Sequence, residues 1–437
     1  MEARVEYLKD IQGTAGSELQ GRHIALGITG SIAALRTPEL ARLLMRHGAE
    51  VHAVLSREAA RLVTPEALEW ATGNPVLVAL SGRVEHLQLC GESGVCAGLV
   101  VAPATANTIA KIALAIDDTP VTTLATTAIG SGVPVLVAPG MHACMYAHPG
   151  VQANLRRLEE LGVVTVEPRV EEGKAKMAEP GEIVRAMLRL LGPGDLKDQR
   201  VLLTAGPTRE PLDSARFLTN PSSGRTGTEL AREALRRGAE VTLIYGPGTA
   251  VPPAGAKVVR VTTAQEMARA VETELGAGSY SFFVGAAAVA DFRPSQAHQG
   301  KIATREGAIE LTLVPTPKIL DQVRTQAPDI FSVGFKAEAG VDREGLLSRA
   351  RARLHEARAD LVLANHVGLP DRGFETEDNE LFLVGPDGLV EHFPLQSKAS
   401  LAPLVWDRLI EAWRHRSGPS TLYRLPSVIE GDFRASG

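Results

Sequence analysis

The chain has 437 residues, 44% of them apolar and 22% charged, which suits a globular protein of roughly two or three domains rather than one core. Its 46 basic and 51 acidic side chains leave a net charge of −5, which argues against a general nucleic-acid binder or a protein held on anionic membranes. Three cysteines, Cys90, Cys96 and Cys144, lack paired spacing, so no disulfide framework is expected. The opening residues are too charged for a signal peptide. The longest apolar tract, 95–116, is broken by Pro103, Asn107 and Lys111, so no transmembrane helix is expected and the chain reads as cytoplasmic.

Residues 1–20 carry no strong pattern and read as a polar extension. From His23 the text becomes α/β. A strand is expected at 24–28, a turn at Thr29, Gly30 and Ser31, a helix through Leu43 and Met45 ending near Gly48, and a strand at 50–55. Short β-branched runs alternate with helical periods through 99–102 and 133–138. A Gly/Pro linker, 191–198, separates a domain spanning 21–190 from one spanning 199–416. The second domain opens with a strand at 201–203 and passes two turn clusters, Thr204-Ala205-Gly206-Pro207 and Thr219-Asn220-Pro221-Ser222-Ser223-Gly224. It then enters a helix at 226–237, which Gly238 stops before a strand at 241–244. That is a βαβ unit with a long first crossover. LARLLMRHGAEVHAV at 40–54 echoes LAREALRRGAEVTLI at 230–244, so each half is expected to build its own Rossmann-like sheet. Further strands are expected at 282–284 and 361–363, and residues 417–437 form a tail.

Ser222, Ser223, Gly224 and the first free N–H groups of the following helix suit an anion. The turn at Gly30, Ser31 and Ile32 offers the same in the first half, although alone it is explained equally well by packing. Thr105, Asn107 and Asp117 add short polar side chains where open α/β sheets bind ligands. Taken singly, His86 is an ordinary histidine, Lys301 a surface lysine, and the arginines of 349–365 a solvated helix face.

The wording is more specific than the pattern. TAGPTREPLD followed by RFLTNPSSGRTG resembles the nucleotide loop of phosphopantothenate–cysteine ligases, commonly the C-terminal half of bifunctional coenzyme A biosynthesis enzymes. GITGSIAALRTPEL and VVAPATANTIAKIALAIDDTPVTTLATTA resemble the FMN-binding stretches of the other half, a flavin-dependent phosphopantothenoylcysteine decarboxylase. The resemblance spans about residues 22 to 412. It implies an α/β chain with an N-terminal flavodoxin-like flavoprotein domain and a C-terminal doubly wound ligase domain. The implied substrates are 4'-phosphopantothenate, L-cysteine and CTP, joined through an acyl-cytidylate and then oxidatively decarboxylated to 4'-phosphopantetheine. FMN and Mg2+ are the implied cofactors, with no metal ligands named by the sequence. A homo-oligomer is implied as well, with trimeric flavin-domain and dimeric ligase-domain contacts.

In the first half the resemblance makes Gly30, Ser31, Ile32, Thr105, Asn107 and Asp117 flavin contacts and His86 the base. Met141 and His142 become substrate contacts, although the family usually reads Pro-Ala-Met-Asn where this chain has Pro139-Gly140-Met141-His142. The lid, EEGKAKMA at 171–178, resembles archaeal-type members and lacks the proton-donating cysteine of many bacterial ones. Lys174 or Lys176 is a candidate in its place, beside a merely solvated lid, and Cys144 reads as a buried structural thiol. In the second half the resemblance makes Asn220 and Lys301 catalytic. Ala287, Asp291, Thr316, Pro317, Lys318, Ile319, Phe335, Arg353 and Arg358 become substrate contacts. Thr316-Pro317-Lys318-Ile319 departs from the family's Asn-Pro-Asp-Ile, and the helix's second cation position falls on Ala357, with Arg358 beside it. The cysteine-free lid leaves open a ligase with a silent flavin domain. A flavin-binding regulatory protein is a further alternative, against which Asn220, Asp291 and Lys301 argue. A generic NAD dehydrogenase lacks its GxGxxG and acidic partner.

Overall fold

The computed structural model describes residues 8, 10–171, 173–302 and 309–416. Lid residue Glu172, residues 303–308 beyond Lys301, the tail 417–437 and all but Leu8 of the first nine residues lie outside the described residues. The chain separates into two units at Gly194 and Asp195, with Arg236–Gly238 grouping with the first.

The first unit contains β1 (His23–Ile28), α1 (Thr37–Arg46), β2 (Glu50–Leu55), α2 (Glu85–Cys90), β3 (Cys96–Ala104), α3 (Ala106–Ala113), α4 (Pro120–Gly130), β4 (Val135–Pro139) and β5 (Val164–Thr165). The strands form one sheet in the order β2-β1-β3-β4-β5, every pairing parallel. Ile24, Leu26 and Ile28 enter one buried cluster and Ala25 another, so both faces are covered and the strands read as unbroken apolar runs. The single helix expected after Ser31 is split into a 3-10 turn, Ile32–Arg36, and α1. Pro38 in the first turn of α1 has no N–H to give an earlier carbonyl, so the α-helix cannot run back through it. The strand order reverses between β1 and β3, and their C-terminal ends face the crevice that such a reversal opens.

The second unit contains β6 (Arg200–Ala205), α5 (Arg225–Arg236), β7 (Glu240–Tyr245), β8 (Lys257–Arg260), β9 (Phe282–Gly285), α6 (Ile319–Gln326), β10 (Phe331–Glu338), α7 (Arg343–Glu356), β11 (Leu361–His366), β12 (Asp378–Val384), β13 (Val390–Ser397) and α8 (Lys398–Arg416). Its sheet runs β8-β7-β6-β9-β10-β11-β12-β13. The strands from β8 to β11 are parallel, in doubly wound order, with the switch point between β6 and β9. The expected doubly wound sheet is extended into a mixed one by an antiparallel edge, β12 and β13. The Pro386–Gly388 turn that joins these two holds Asp387 at φ +55°. The long first crossover is itself structured, because Arg209–Pro211 pairs antiparallel with Phe217–Thr219.

Trp406 of α8 anchors this unit. It is fully buried, lies edge-on to Phe282 with ring centroids 5.4 Å apart, and donates its indole N–H to the Leu230 carbonyl of α5 at 2.8 Å. Helix α5 is thereby pinned behind the end of β6. Trp406→Ala removes this packing and leaves a cavity, so the second unit is expected to lose about 3–5 kcal/mol, read as a lower denaturant midpoint.

Candidate active sites

In the first unit the ends of β1 and β3 are tied together by Thr29, whose hydroxyl donates to the Pro103 carbonyl at 2.7 Å and accepts the Thr105 N–H at 3.1 Å. Thr105 in turn caps α3 through the Thr108 N–H, at 3.3 Å. A side chain on Gly30 would stand 2.5 Å from the Glu58 Cβ, so only glycine fits this turn. Gly140 donates to the Ala104 carbonyl at 3.0 Å, and an added Cβ there would lie 3.5 Å from the Ser31 hydroxyl. Ser31, Thr105 and the Pro-Gly-Met-His loop therefore meet at one switch point.

The lid closes on this cluster. Met141 pairs with Ala175, His142 with Lys174, and the Ala143 N–H donates to the Gly173 carbonyl at 3.1 Å. Lys176 is ion-paired with Glu171 at 3.1 Å, whereas Lys174 is exposed opposite His142. Cys144, expected to be buried, is exposed: it lies on the short helix Ala143–Tyr146, none of whose residues is buried. His86 sits on α2, which packs on α4, and its Nδ1 is buried with no hydrogen-bond partner among the described residues. Asn107 and Asp117 are exposed on the neighbouring segment, and Ile32 is 71% exposed. Among the described residues no side-chain hydrogen bond joins His86, Asn107 or Asp117 to the Ser31 cluster.

In the second unit a cavity of about 530 Å³ opens at the β6/β9 switch point. Asn220, Ala287, Asp291, Thr316, Pro317, Lys318, Ile319, Phe335 and Arg353 all stand on its wall. Thr204 at the end of β6, Gly285 at the end of β9 and the N-terminal turn of α5 complete that end of it. Gly224 takes φ +81°, and a Cβ on Gly227 would lie 2.4 Å from the Ala205 Cβ, so α5 seats directly against β6. Asn220 donates to the Ala288 and Val289 carbonyls, each at 3.2 Å, fixing its amide over the small-residue segment after β9. Thr316 donates its hydroxyl to the Ala290 carbonyl at 2.6 Å and its N–H to Asp291 O at 3.0 Å, which clips its loop beside Asp291.

Among the described residues four cations reach this wall, and each has a carboxylate. Lys318 pairs with Asp291 at 2.7 Å, Lys336 with Glu338 at 2.9 Å, Arg353 with Asp321 at 3.2 Å, and Arg225 with Glu377. Arg225 and Lys336 were not singled out from the sequence, although each adjoins a residue that was, Gly224 and Phe335. Arg358 lies outside the cavity lining. It follows the end of α7 in a left-handed conformation, φ +49°, and is exposed.

Lys301 is also exposed and off the wall. Its loop is anchored by Asp213, whose carboxylate accepts the N–H groups of Ala215 at 2.7 Å, Arg216 at 2.7 Å and Ile302 at 3.2 Å. These bonds, that of Ala215 foremost, and the Arg216 guanidinium hold the carboxyl at about 2, below the ordinary 3.8. One trio among the described residues, His23, Glu50 and His52, has metal-ligand character. It lies at the opposite, N-terminal ends of β1 and β2. There His23 Nδ1 and His52 Nε2 are 2.9 Å apart and share a hydrogen bond, which accounts for their closeness without an ion.

Residues 12–192 match the flavoprotein family model, and residues 196–412 match that of the DNA/pantothenate metabolism flavoprotein C-terminal domain. The chain is 47% identical over 406 residues to the coenzyme A biosynthesis bifunctional protein CoaBC of Thermococcus kodakarensis, covering 93% of this chain and 99% of that protein. The chain belongs to this family. The Escherichia coli K12 protein of the same name is 35% identical over 418 residues, covering 91% and 99%. A crystal structure of the C-terminal domain of a bifunctional protein CoaBC is 30% identical with a TM-score of 0.42, covering 51% of this chain and 98% of that one. Members of the family ligate cysteine to phosphopantothenate and decarboxylate the product, and the chain carries both halves.

Because the Asp213 carboxyl is held below its ordinary value, its contribution is complete above about pH 4 and fades only as pH falls toward about 2. The Lys301 loop should therefore keep its anchor from about pH 5 to about pH 9. Asp213→Asn is expected to slow cysteine coupling at least ~10-fold at neutral pH. Decarboxylation of supplied phosphopantothenoylcysteine should be unchanged, which a coupled-product assay of each half-reaction checks.

Proposed function

We propose that the cavity at the β6/β9 switch point takes CTP and 4'-phosphopantothenate together. A carboxylate oxygen of phosphopantothenate attacks the α-phosphorus, pyrophosphate leaves, and an acyl-cytidylate results. The amine of L-cysteine then attacks the acyl carbon, and CMP leaves with the bonding electron pair. The observation that carries this reading is the meeting of a helix N-terminus, four cations and a small-residue floor in one cavity. The floor of Ala286, Ala287 and Ala288 lets a nucleoside lie against backbone, beside Phe335. The α5 N-terminus, Arg225, Lys336, Arg353 and Lys318 balance phosphate charge, and Asn220 holds the acyl-phosphate oxygens once its amide N–H groups exchange the Ala288 and Val289 carbonyls for them. Asp291 and Glu356 on the wall are donors of the hard type that Mg2+ takes when it enters with the triphosphate. Lys301, exposed on its anchored loop and outside the cavity lining, is given the part of a compact cation in the first step by the family wording alone.

The first unit fits FMN. The turn at Gly30 admits no side chain, the Thr105 cap and the N–H groups after Ser31 suit a phosphate, and His86 Nδ1 has no partner. Ser31, Ile32, Thr105, Asn107 and Asp117 would hold the group, which would supply a reversible acceptor for the electron pair whose removal labilises the carboxylate, the pair coming back after CO2 has left so that the thiol product carries no net oxidation. Met141 and His142 bind the substrate, with His142 able to bond its carboxylate. His86 takes the proton, and Lys174, across from His142 on the lid, returns one. Ile32, Leu35 and Leu87 are 71%, 57% and 49% exposed, apolar side chains that further copies of the chain would cover. We infer a cytoplasmic homo-oligomer, trimeric through the flavin units and dimeric through the ligase units. A ligase with a silent flavin domain is the second reading, favoured by the cysteine-free lid.

Phosphopantothenate labelled with oxygen-18 in its carboxylate should transfer one label to CMP. Label in inorganic phosphate, or none, would contradict the acyl-cytidylate. Asn220→Ala should lower coupling by about 10²-fold or more. Lys174→Ala should slow formation of 4'-phosphopantetheine from phosphopantothenoylcysteine while Lys176→Ala and Cys144→Ala do not. Unchanged turnover in Lys174→Ala would remove that lysine from the mechanism.

A further inference from the structure

The segment between β11 and β12 contributes Gly373 and Phe374 to the cavity wall, beside Gly224 and Arg225 of the anion-binding turn. Three of its backbone carbonyls accept from one side chain. Lys398, the first residue of α8 and only 3% exposed, donates its ammonium to the carbonyls of Gly373 at 2.8 Å, Phe374 at 3.3 Å and Thr376 at 2.6 Å. An ammonium has three donors, and all three are used. The Phe374 carbonyl also accepts the Ser223 hydroxyl at 3.1 Å, and Glu377 pairs with Arg225. The segment is thus fastened on one side to the anion-binding turn and on the other to α8.

Burying a cation is costly, and an apolar side chain of similar length would fill the same space at lower cost. Burial, with the nearby Arg225 charge, pushes the Lys398 amine down to about 8 against the opposing pull of Glu377 and Asp378, so it is still mostly charged at neutral pH. What the cation supplies, and a hydrocarbon would not, is three donors for carbonyls that no strand or helix pairs.

We propose that Lys398 is a positioning residue of the ligase site, clamping residues 373–377 so that Phe374 and the partner of Arg225 stay at the phosphate-binding end of the cavity. It acts through that segment and touches no substrate. This inference rests on reading the cavity as the nucleoside triphosphate site.

The test uses the full chain with Lys398→Met, which keeps length and removes the donors. KM for CTP is expected to rise about tenfold with kcat within about twofold, the cost of unpairing buried acceptors. Decarboxylation of added phosphopantothenoylcysteine should not change. Without substrates, amide hydrogen exchange across 371–377 should quicken, while that of β6 and β9 does not. Ser223→Ala, which removes one hydroxyl at the same carbonyl, should quicken exchange across 371–377 more weakly, and that exchange is the readout if Lys398→Met does not fold. Unchanged KM and exchange in a folded variant would overturn the clamp while leaving the ligase reading intact. Absence of coupling in the unaltered chain would overturn the ligase reading, and with it the effect on KM.

Discussion

Parallel strands on the two sides of a switch point send their connections to opposite faces of the sheet, and the crevice left between them cannot be closed by packing. Both functional regions of this chain depend on that constraint. At the end of β1 and β3 the gap is bridged by one hydroxyl, that of Thr29, and is surrounded by glycine and short polar side chains. At the end of β6 and β9 it widens into a cavity floored by alanines. Free backbone N–H groups and small side chains gather there because the chain must turn sharply without filling the gap. Phosphate-bearing ligands bind where such turns are left open.

The pairing of every cavity cation with a carboxylate follows from the need to stay folded when empty. Two like charges about 10 Å apart at an effective dielectric near 20 repel by roughly 1.7 kcal/mol, so four unpaired cations around one cavity would strain it. The pairs differ in how readily they exchange. Lys318 and Asp291 are 52% and 73% exposed as side chains, so water competes for both and their mutual attraction is small. The Glu338 side chain is 11% exposed and shared by Lys336 and Arg349, which makes it the more fixed partner. A polyanion entering this cavity would meet cations already placed, and Lys318 would give up its carboxylate more easily than Lys336.

Much of this was legible in the sequence. The strand at 50–55 and the helix ending before Gly238 follow from apolar period and a glycine stop, and the structure places them within a residue of those limits. The turn words around Asn220 and Gly30 fall at the two switch points because such loops need their small residues at fixed offsets. Three-residue strands such as Arg209–Pro211 have no period to read, so the hairpin in the crossover was invisible. Ion-pair choice was invisible too: Lys318 departs from the family wording, and only the fold shows it facing Asp291. Cys144 was misjudged because a single thiol carries no pattern. Arg358 lies past the end of α7, where helical spacing no longer places a side chain. Nothing in the sequence sets Lys398 apart; the three carbonyls around its ammonium do.

Whether one chain carries two working crevices is tested most directly by mass spectrometry of the purified protein incubated with phosphopantothenate, cysteine, FMN, Mg2+ and CTP. The expected products are 4'-phosphopantetheine, CMP and CO2 in equal amounts. Accumulation of phosphopantothenoylcysteine would contradict the flavin half, and no coupling with CTP or ATP would contradict the account as a whole.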